Sequence, residues 1–498
     1  MLSPSACALL IVLVLVLVLV VFLFRRRKRR AGEPPLINGW IPFLGKALEF
    51  RKDALKFLVA QQKNFGDVFT VHIAGRYMTF VMDPLMYPGV IKHGRQLDFH
   101  EFAGRAAPPA FGYPPVAEVT FPGLGERIRR SFRLLGGDHL APLTQSMMAN
   151  LMTLFRQDHL RPDGAWRTAG LYDFCVRVVF EATFLTVYGR PPDGLRHADT
   201  AALRADFARF DEVFPLLIAG VPVRLLGRVG GVREKLIRRF LPREMSGWEG
   251  VSRFIRRRAE ILERHPALRD VDQAAHHFAM LWASVANTAP AAFWVAYHLL
   301  RQPEALGAIS REVRRAAEGG EAEFTTDVDV ALSARQLDDM SLLESAIKES
   351  LRLSTASINI RVAKEDFSLR LNAKRSVPVR MGDIVALYPQ SVHMDAGIYE
   401  DPQMFRFDRF AGKSEFFKNG QKLHYYLMPF GSGASVCPGR FFAVNEIKQF
   451  VSLLVLYFDL QLEAGQPDAR PDVGRAGLGV LRPDRDVRFR YRPRRDAS

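Results

Sequence analysis

Residues 430–440 read Phe-Gly-Ser-Gly-Ala-Ser-Val-Cys-Pro-Gly-Arg, which sets a lone cysteine, Cys437, in a loop of small residues. An apolar run, 441–458, follows directly and has helical character. The other two cysteines lie elsewhere: Cys7 in an apolar N-terminal run and Cys175 in a helical-looking stretch. A thiolate in a tight Gly-rich turn, with backbone N–H groups able to point at the sulfur, can serve as the single protein ligand of an iron cofactor. Zinc asks for several Cys or His ligands close together, and the spacing does not supply them. Two more constellations bear on chemistry. Asn287 and Thr288 are polar intrusions in a long apolar helix expected over 276–300, where a hydroxyl can pass protons through ordered water. Glu349 and Arg352 stand one helical turn apart on one face. Glu126/Arg129 and Glu312/Arg315 share that spacing, so spacing alone decides nothing.

Phe430, Gly433, Cys437 and Gly439 fit the pattern F-x-x-G-x-x-x-C-x-G, and here the chain resembles the cytochrome P-450 monooxygenases. The resemblance implies haem (iron protoporphyrin IX) held by a Cys437 thiolate, which favours O–O cleavage. It implies a structural network of Glu349 and Arg352 with Arg409, from the segment Phe407-Asp408-Arg409-Phe410, and an Arg361 that binds a haem propionate. Thr288 and Asn287 match the oxygen-activation position. Three departures stand out. Ser435 replaces a basic residue two positions before the cysteine, and Asn287 replaces Asp or Glu before the threonine. The usual tryptophan/arginine pair near 126–140 is absent, with Arg127, Arg129, Arg130 and Arg133 as substitutes on offer.

Over about 31–493 the chain is similar to the branch containing sterol 7α-hydroxylases, sterol 12α-hydroxylase and prostacyclin synthase. The carrying segments are 32–36, the Asn287 helix and 416–420. Thr288 favours dioxygen activation over the reductase-independent isomerase, which has no hydroxyl there. Segments 353–361, 384–389 and 475–479 look like cholesterol 7α-hydroxylase. Segments 39–42, 281–288 and 225–236 look like oxysterol 7α-hydroxylase. Either assignment implies an apolar sterol held by shape and a few polar groups; Asn287, Ser357 and Asn359 are the polar candidates and Leu478 an apolar one. The implied activity is sterol 7α-hydroxylation with O2 and electrons from NADPH–cytochrome P-450 reductase, in bile-acid and sterol metabolism. The alternatives are a 12α-hydroxylase-like enzyme, a prostacyclin-synthase-like isomerase, and a haem-containing lipid-binding protein.

The elements that must position these residues are legible in outline. Residues 6–24 carry no charge and would span roughly 28 Å as a helix, close to the hydrocarbon thickness of a bilayer. Six cations follow at 25–30. This order is the reverse of a cleavable signal peptide and predicts a single-pass anchor with the body on the cytoplasmic side, in the endoplasmic reticulum membrane by resemblance. The net charge of +16 suits anionic lipid or an acidic protein; no nucleic-acid motif accompanies it. Few cysteines fit a reducing compartment. Residues 1–30 are thus expected as anchor and basic flank, 31–46 as a Pro/Gly-rich linker, and 47–498 as the haem-thiolate monooxygenase domain. Strand-like runs 68–73 and 77–82 flank a hairpin turn at 74–76. Helical periodicity dominates 140–316, broken at 191–192 and 227–231, and strand character returns over 362–387. Residues 214–241, apolar with six basic residues, suit either a membrane-surface contact or an ordinary surface helix pair. The expected fold class is mainly α with small β-sheets: the cytochrome P-450 fold preceded by one N-terminal transmembrane helix.

Overall fold

The computed structural model describes residues 27–160, 163–318 and 329–494. The apolar run read as an anchor, with Cys7, lies outside the described residues. Within the rest, helices dominate and the sheets are small. The core is a bundle. Helices Leu140–Asp158, Leu171–Tyr188, Thr288–Arg301 and Arg440–Tyr457 pack on one another, and Ser341–Ser354 joins the last two. Helix Arg440–Tyr457 is buried on nearly every face, as the apolar run after Cys437 requires. Several of its buried donors are matched: Lys448 Nζ donates to Leu337 O at 2.7 Å and to Glu344 at 2.9 Å, and Gln449 Nε2 donates to Thr144 O at 2.8 Å.

The largest sheet has six strands, in the order Leu36–Ile37, Val68–Ile73, Arg76–Val81, Ile384–Leu387, Asn359–Ala363 and Leu97–Asp98. The hairpin differs by one residue from its sequence reading. Ala74 and Gly75 alone make the turn, both with positive φ (47° and 74°), so Arg76 already pairs with Ile73. A two-residue turn with positive φ at both positions matches the right-handed twist of its strands, which a type I or II turn would splay. In the stretch expected as a linker, Leu36–Ile37 pairs with Thr70–Val71. Glu33 accepts from Arg380 and from the Arg30 N–H, with Arg27 beside it; despite burial, which raises it, its carboxyl is held down at about 2.

Two helical expectations need correction. The stretch read as one helix over 276–300 is two, Asp270–Val285 and Thr288–Arg301. Pro290 is the cause: it has no N–H to give Ala286 O, and its ring crowds that carbonyl. The break expected at 227–231 is shorter, because helix Val229–Arg238 already contains Gly230 and Gly231. Residues 214–241 therefore comprise the end of helix Thr200–Ile218, a short turn at Val223–Leu225 and that second helix.

Candidate active site

The cysteine loop is closed by its own backbone. Cys437 N–H donates to Phe430 O at 2.8 Å, and Arg440 Nη1 donates to Cys437 O at 3.1 Å. Gly433 has φ +59°, and a Cβ there would stand 2.7 Å from Ile91 Cγ2, so a side chain would meet both strain and a clash. Gly439 differs: its φ is −89° and it caps helix Arg440–Tyr457. Phe430 packs into the main core. Burial pushes the Cys437 thiol up, opposed by the Gly439 N–H and the Arg440 cation. The sulfur therefore sits beside a helix N-terminus and a guanidinium, the surroundings that favour a thiolate once a metal is bound.

Strand Asn359–Ala363 runs beside this loop. Buried Arg361 donates through Nη2 to Ser432 O (2.9 Å), Ser432 Oγ (3.2 Å) and Ser435 Oγ (3.2 Å). The serine at the position of a basic residue is thus bonded to a cation from the neighbouring strand Asn359–Ala363. Arg361 Nη1, Asn359 Nδ2 and Ser357 Oγ are buried without a partner among the described residues. These three residues alternate along the chain and so share one face. Burial pulls the Arg361 guanidinium below its ordinary value, and its free end would be satisfied by an anion in fork geometry.

At the helix break, Thr288 is buried and its Oγ1 donates to Ser284 O at 2.9 Å. Asn287 Oδ1 accepts the Val480 N–H at 2.9 Å. That bond joins the break to segment 477–481, which is laced to the chain after helix Ser341–Ser354: Ala356 N–H donates to Gly479 O, Gly477 N–H to Ala356 O and Leu481 N–H to Ser354 O. Ser357 pairs with Gly477 in an isolated bridge, and Leu478 packs against the main core. Asn287, Ser357 and Leu478 therefore meet through this C-terminal segment, although they lie far apart in sequence. The helix starting at Thr288 packs on the helix that follows the cysteine.

Glu349, Arg352 and Arg409 are brought together. Arg352 Nε and Nη2 donate to the two oxygens of Glu349 at 2.8 and 2.7 Å, and Arg409 Nε donates to Glu349 Oε1 at 3.0 Å. Arg352 Nη1 also donates to His393 O and Pro402 O, both at 2.6 Å, and the guanidinium carbon lies 4.8 Å from the Tyr399 ring centre. Both Glu349 and Arg352 are wholly buried. Such a pair is stable only when each lone pair and N–H is met, and this one is densely bonded. The other two pairs of equal spacing behave differently. Glu126 pairs on the surface with Arg130, and Glu312 accepts from the Leu342 and Leu343 N–H groups.

Arg127, Arg129, Arg130 and Arg133 are exposed. Arg127, Arg130 and Arg133 line an open cleft with Arg253, Arg256 and Arg257. The structure also reveals a cluster that the sequence did not signal. Asp211 of helix Thr200–Ile218 accepts from the Trp282 indole and from Arg475. These residues come from three distant segments, so no spacing pattern could have linked them.

A cytochrome P450 family profile matches residues 34–489. Cytochrome P450 7A1 of Oryctolagus cuniculus and cholesterol 7-alpha-monooxygenase of Cricetulus griseus are each 42% identical to this chain, over 93% of it and 94% of their own length. Cytochrome P450 7B1 of Mus musculus is 40% identical over 93% of this chain and 91% of its own. With a matching profile over nearly its whole length and such relatives, this chain belongs to the cytochrome P450 family, whose members hold haem iron through a cysteine thiolate.

Proposed function

We propose that this enzyme hydroxylates a sterol at the 7α position, anchored in the endoplasmic reticulum membrane with its catalytic body on the cytoplasmic side. The observation that carries the site reading is Arg361, bonded at one end into the Cys437 loop and, among the described residues, left buried and unpaired at the other. Cys437 would ligate the haem iron. Arg361 Nη1 and Asn359 Nδ2 are the donors on offer to a propionate, and Phe430, Gly433 and Gly439 shape the loop. Bound haem supplies dioxygen activation, with O–O cleavage favoured by the thiolate.

The chain's own work is positioning and proton handling. The Thr288 hydroxyl sits at the helix break, held by Ser284 O, where it can exchange protons with ordered water. The Asn287 oxygen accepts from Val480, which leaves its two amide N–H groups and one oxygen lone pair for water or substrate. Ser357, Asn359 and Leu478 are assigned to the sterol's surroundings, and Glu349, Arg352 and Arg409 to bracing the fold. The sterol class and the 7α position rest on the names of the relatives. Membrane proximity is supported by exposed Trp40, Phe43 and Leu48 after the basic flank, and by Leu225, 69% exposed, in the turn before helix Val229–Arg238. Electrons would come from NADPH–cytochrome P-450 reductase.

The test is incubation of the full chain with that reductase, NADPH, and either cholesterol or side-chain-hydroxylated sterols, with products identified by mass spectrometry. A 7α-hydroxylated sterol that requires NADPH supports the reading. Conversion of a lipid peroxide without NADPH, a 12α product, or sterol binding without turnover would each overturn it.

A further inference from the structure

Asp211 is the meeting point of three segments. Its Oδ1 accepts the Trp282 Nε1–H at 2.9 Å, its Oδ2 accepts Arg475 Nη2 at 2.7 Å, and its carbonyl accepts Arg475 Nη1 at 3.0 Å. The Asp211 and Arg475 side chains are only 15% and 12% exposed, so water screens their attraction little. The neighbouring Glu212 pairs with Arg482, but at 64% exposure that bond adds little.

What these contacts hold is an aromatic wall. The Trp282 ring lies 3.9 Å from Phe214 and 5.8 Å from Phe111, centre to centre, and Phe210 packs on Phe278 at 4.8 Å. Helix Thr200–Ile218 thus lies against helix Asp270–Val285 through rings, with the Asp211 carboxylate as a polar rivet. Trp282 lies in the last turn before the kink, and Asn287, five residues on, lies in the kink itself. Both are tied to the same C-terminal segment, Asn287 directly at Val480 and Trp282 through Asp211 and Arg475.

We propose that Asp211 is a positioning residue: with Arg475 it fastens helix Thr200–Ile218 to helix Asp270–Val285 and to the C-terminal segment that holds Asn287, fixes the Trp282 ring, and so governs sterol residence time and the carbon presented for hydroxylation. The substrate part rests on the sterol reading above; the fastening does not. Without the carboxylate, a largely buried indole N–H and a shielded guanidinium lose their acceptors together, and the helix loses its one shielded ionic tie to the C-terminal segment among the described residues.

The experiment uses the haem-loaded full chain with D211N, D211A, R475M and the D211A/R475M double variant. Hydrogen exchange of peptides from 200–218 is measured without sterol. Sterol dissociation is followed by stopped-flow absorbance, and the product positions are compared. D211A and R475M are each expected to accelerate exchange, raise the dissociation rate about ten-fold, equivalent to about 1.4 kcal/mol, and spread the product positions. The double variant is expected to fall well short of the product of the two single effects, because both singles break the same Asp211–Arg475 ion pair. D211N keeps an oxygen for Trp282 and should fall between wild type and D211A; it serves as the test if D211A does not load haem. Unchanged exchange and dissociation in a haem-loaded variant, or effects of D211A and R475M that multiply, would overturn the proposal. Faster exchange in D211A alongside a wild type that answers no sterol supports the fastening and removes the sterol reading.

Discussion

Asn287 and Gly479 interlock: a Cβ on Gly479 would stand 2.2 Å from Asn287 Oδ1, the same oxygen that accepts the Val480 N–H. Gly479 also holds φ at +115°, a conformation that side chains rarely adopt. Gly479→Ala is therefore expected to cost about 1–3 kcal/mol in stability and to swing the Asn287 amide away from its present direction. A weakened sterol-induced absorbance change, with haem still bound, is the expected result. An unaltered response would show that the Asn287 orientation is immaterial.

Glu349 answers two guanidiniums at once. Glu349→Ala strands Arg352 as a buried, unpaired cation, a cost of about 3–5 kcal/mol. The variant should accumulate as haem-free or aggregated protein, measured by haem content per chain. Full haem loading and wild-type thermal stability would remove Glu349 from the fold's support.

Thr288→Ala deletes the hydroxyl at the helix break while sparing the backbone. Product formed per NADPH consumed is expected to fall about ten-fold, less than the roughly hundred-fold or more of a directly positioned proton donor because water remains. Thr288→Ser should restore most of it. Equal coupling in all three proteins would end the relay role.

Cys437→Ala should abolish the thiolate-type absorbance of the reduced carbon-monoxide complex. Survival of that spectrum would assign the iron to another ligand.

Glu446 is buried on the helix after the cysteine, where it accepts from Thr183 Oγ1 at 2.8 Å. Desolvation pushes its carboxyl up to about 8, against a modest lowering by Thr183. The folded protein thus holds it neutral where the unfolded chain ionises. Its contribution is present below about pH 4.5 and is lost as pH rises toward about 8, with a slope of at most about 1.4 kcal/mol per pH unit. Glu446→Gln should gain stability over wild type progressively across that window, read as thermal-inactivation half-lives at about pH 5 and about pH 8. Parallel pH profiles would show that Glu446 ionises freely.

Much of the site could be read from local pattern. The Cys437 loop and its following helix are contiguous, so turn chemistry and apolar periodicity suffice to find them. The hairpin at Ala74–Gly75 and the helical character of 140–316 were legible for the same reason. The kink between Val285 and Thr288 was missed because apolar periodicity runs straight through it, although Pro290 was there to signal it.

The chain's residue order alone determined the cysteine loop, the helical class and the family, since these depend on neighbours in sequence and on side-chain type. Tertiary structure decided the rest. Only folding seats Arg361 against Ser432 and Ser435, selects Glu349–Arg352 over two pairs of identical spacing, and closes Asp211 on Trp282 and Arg475. The physical reason is burial: a charge paired on the surface is worth little, whereas one removed from water must find every partner the fold can bring.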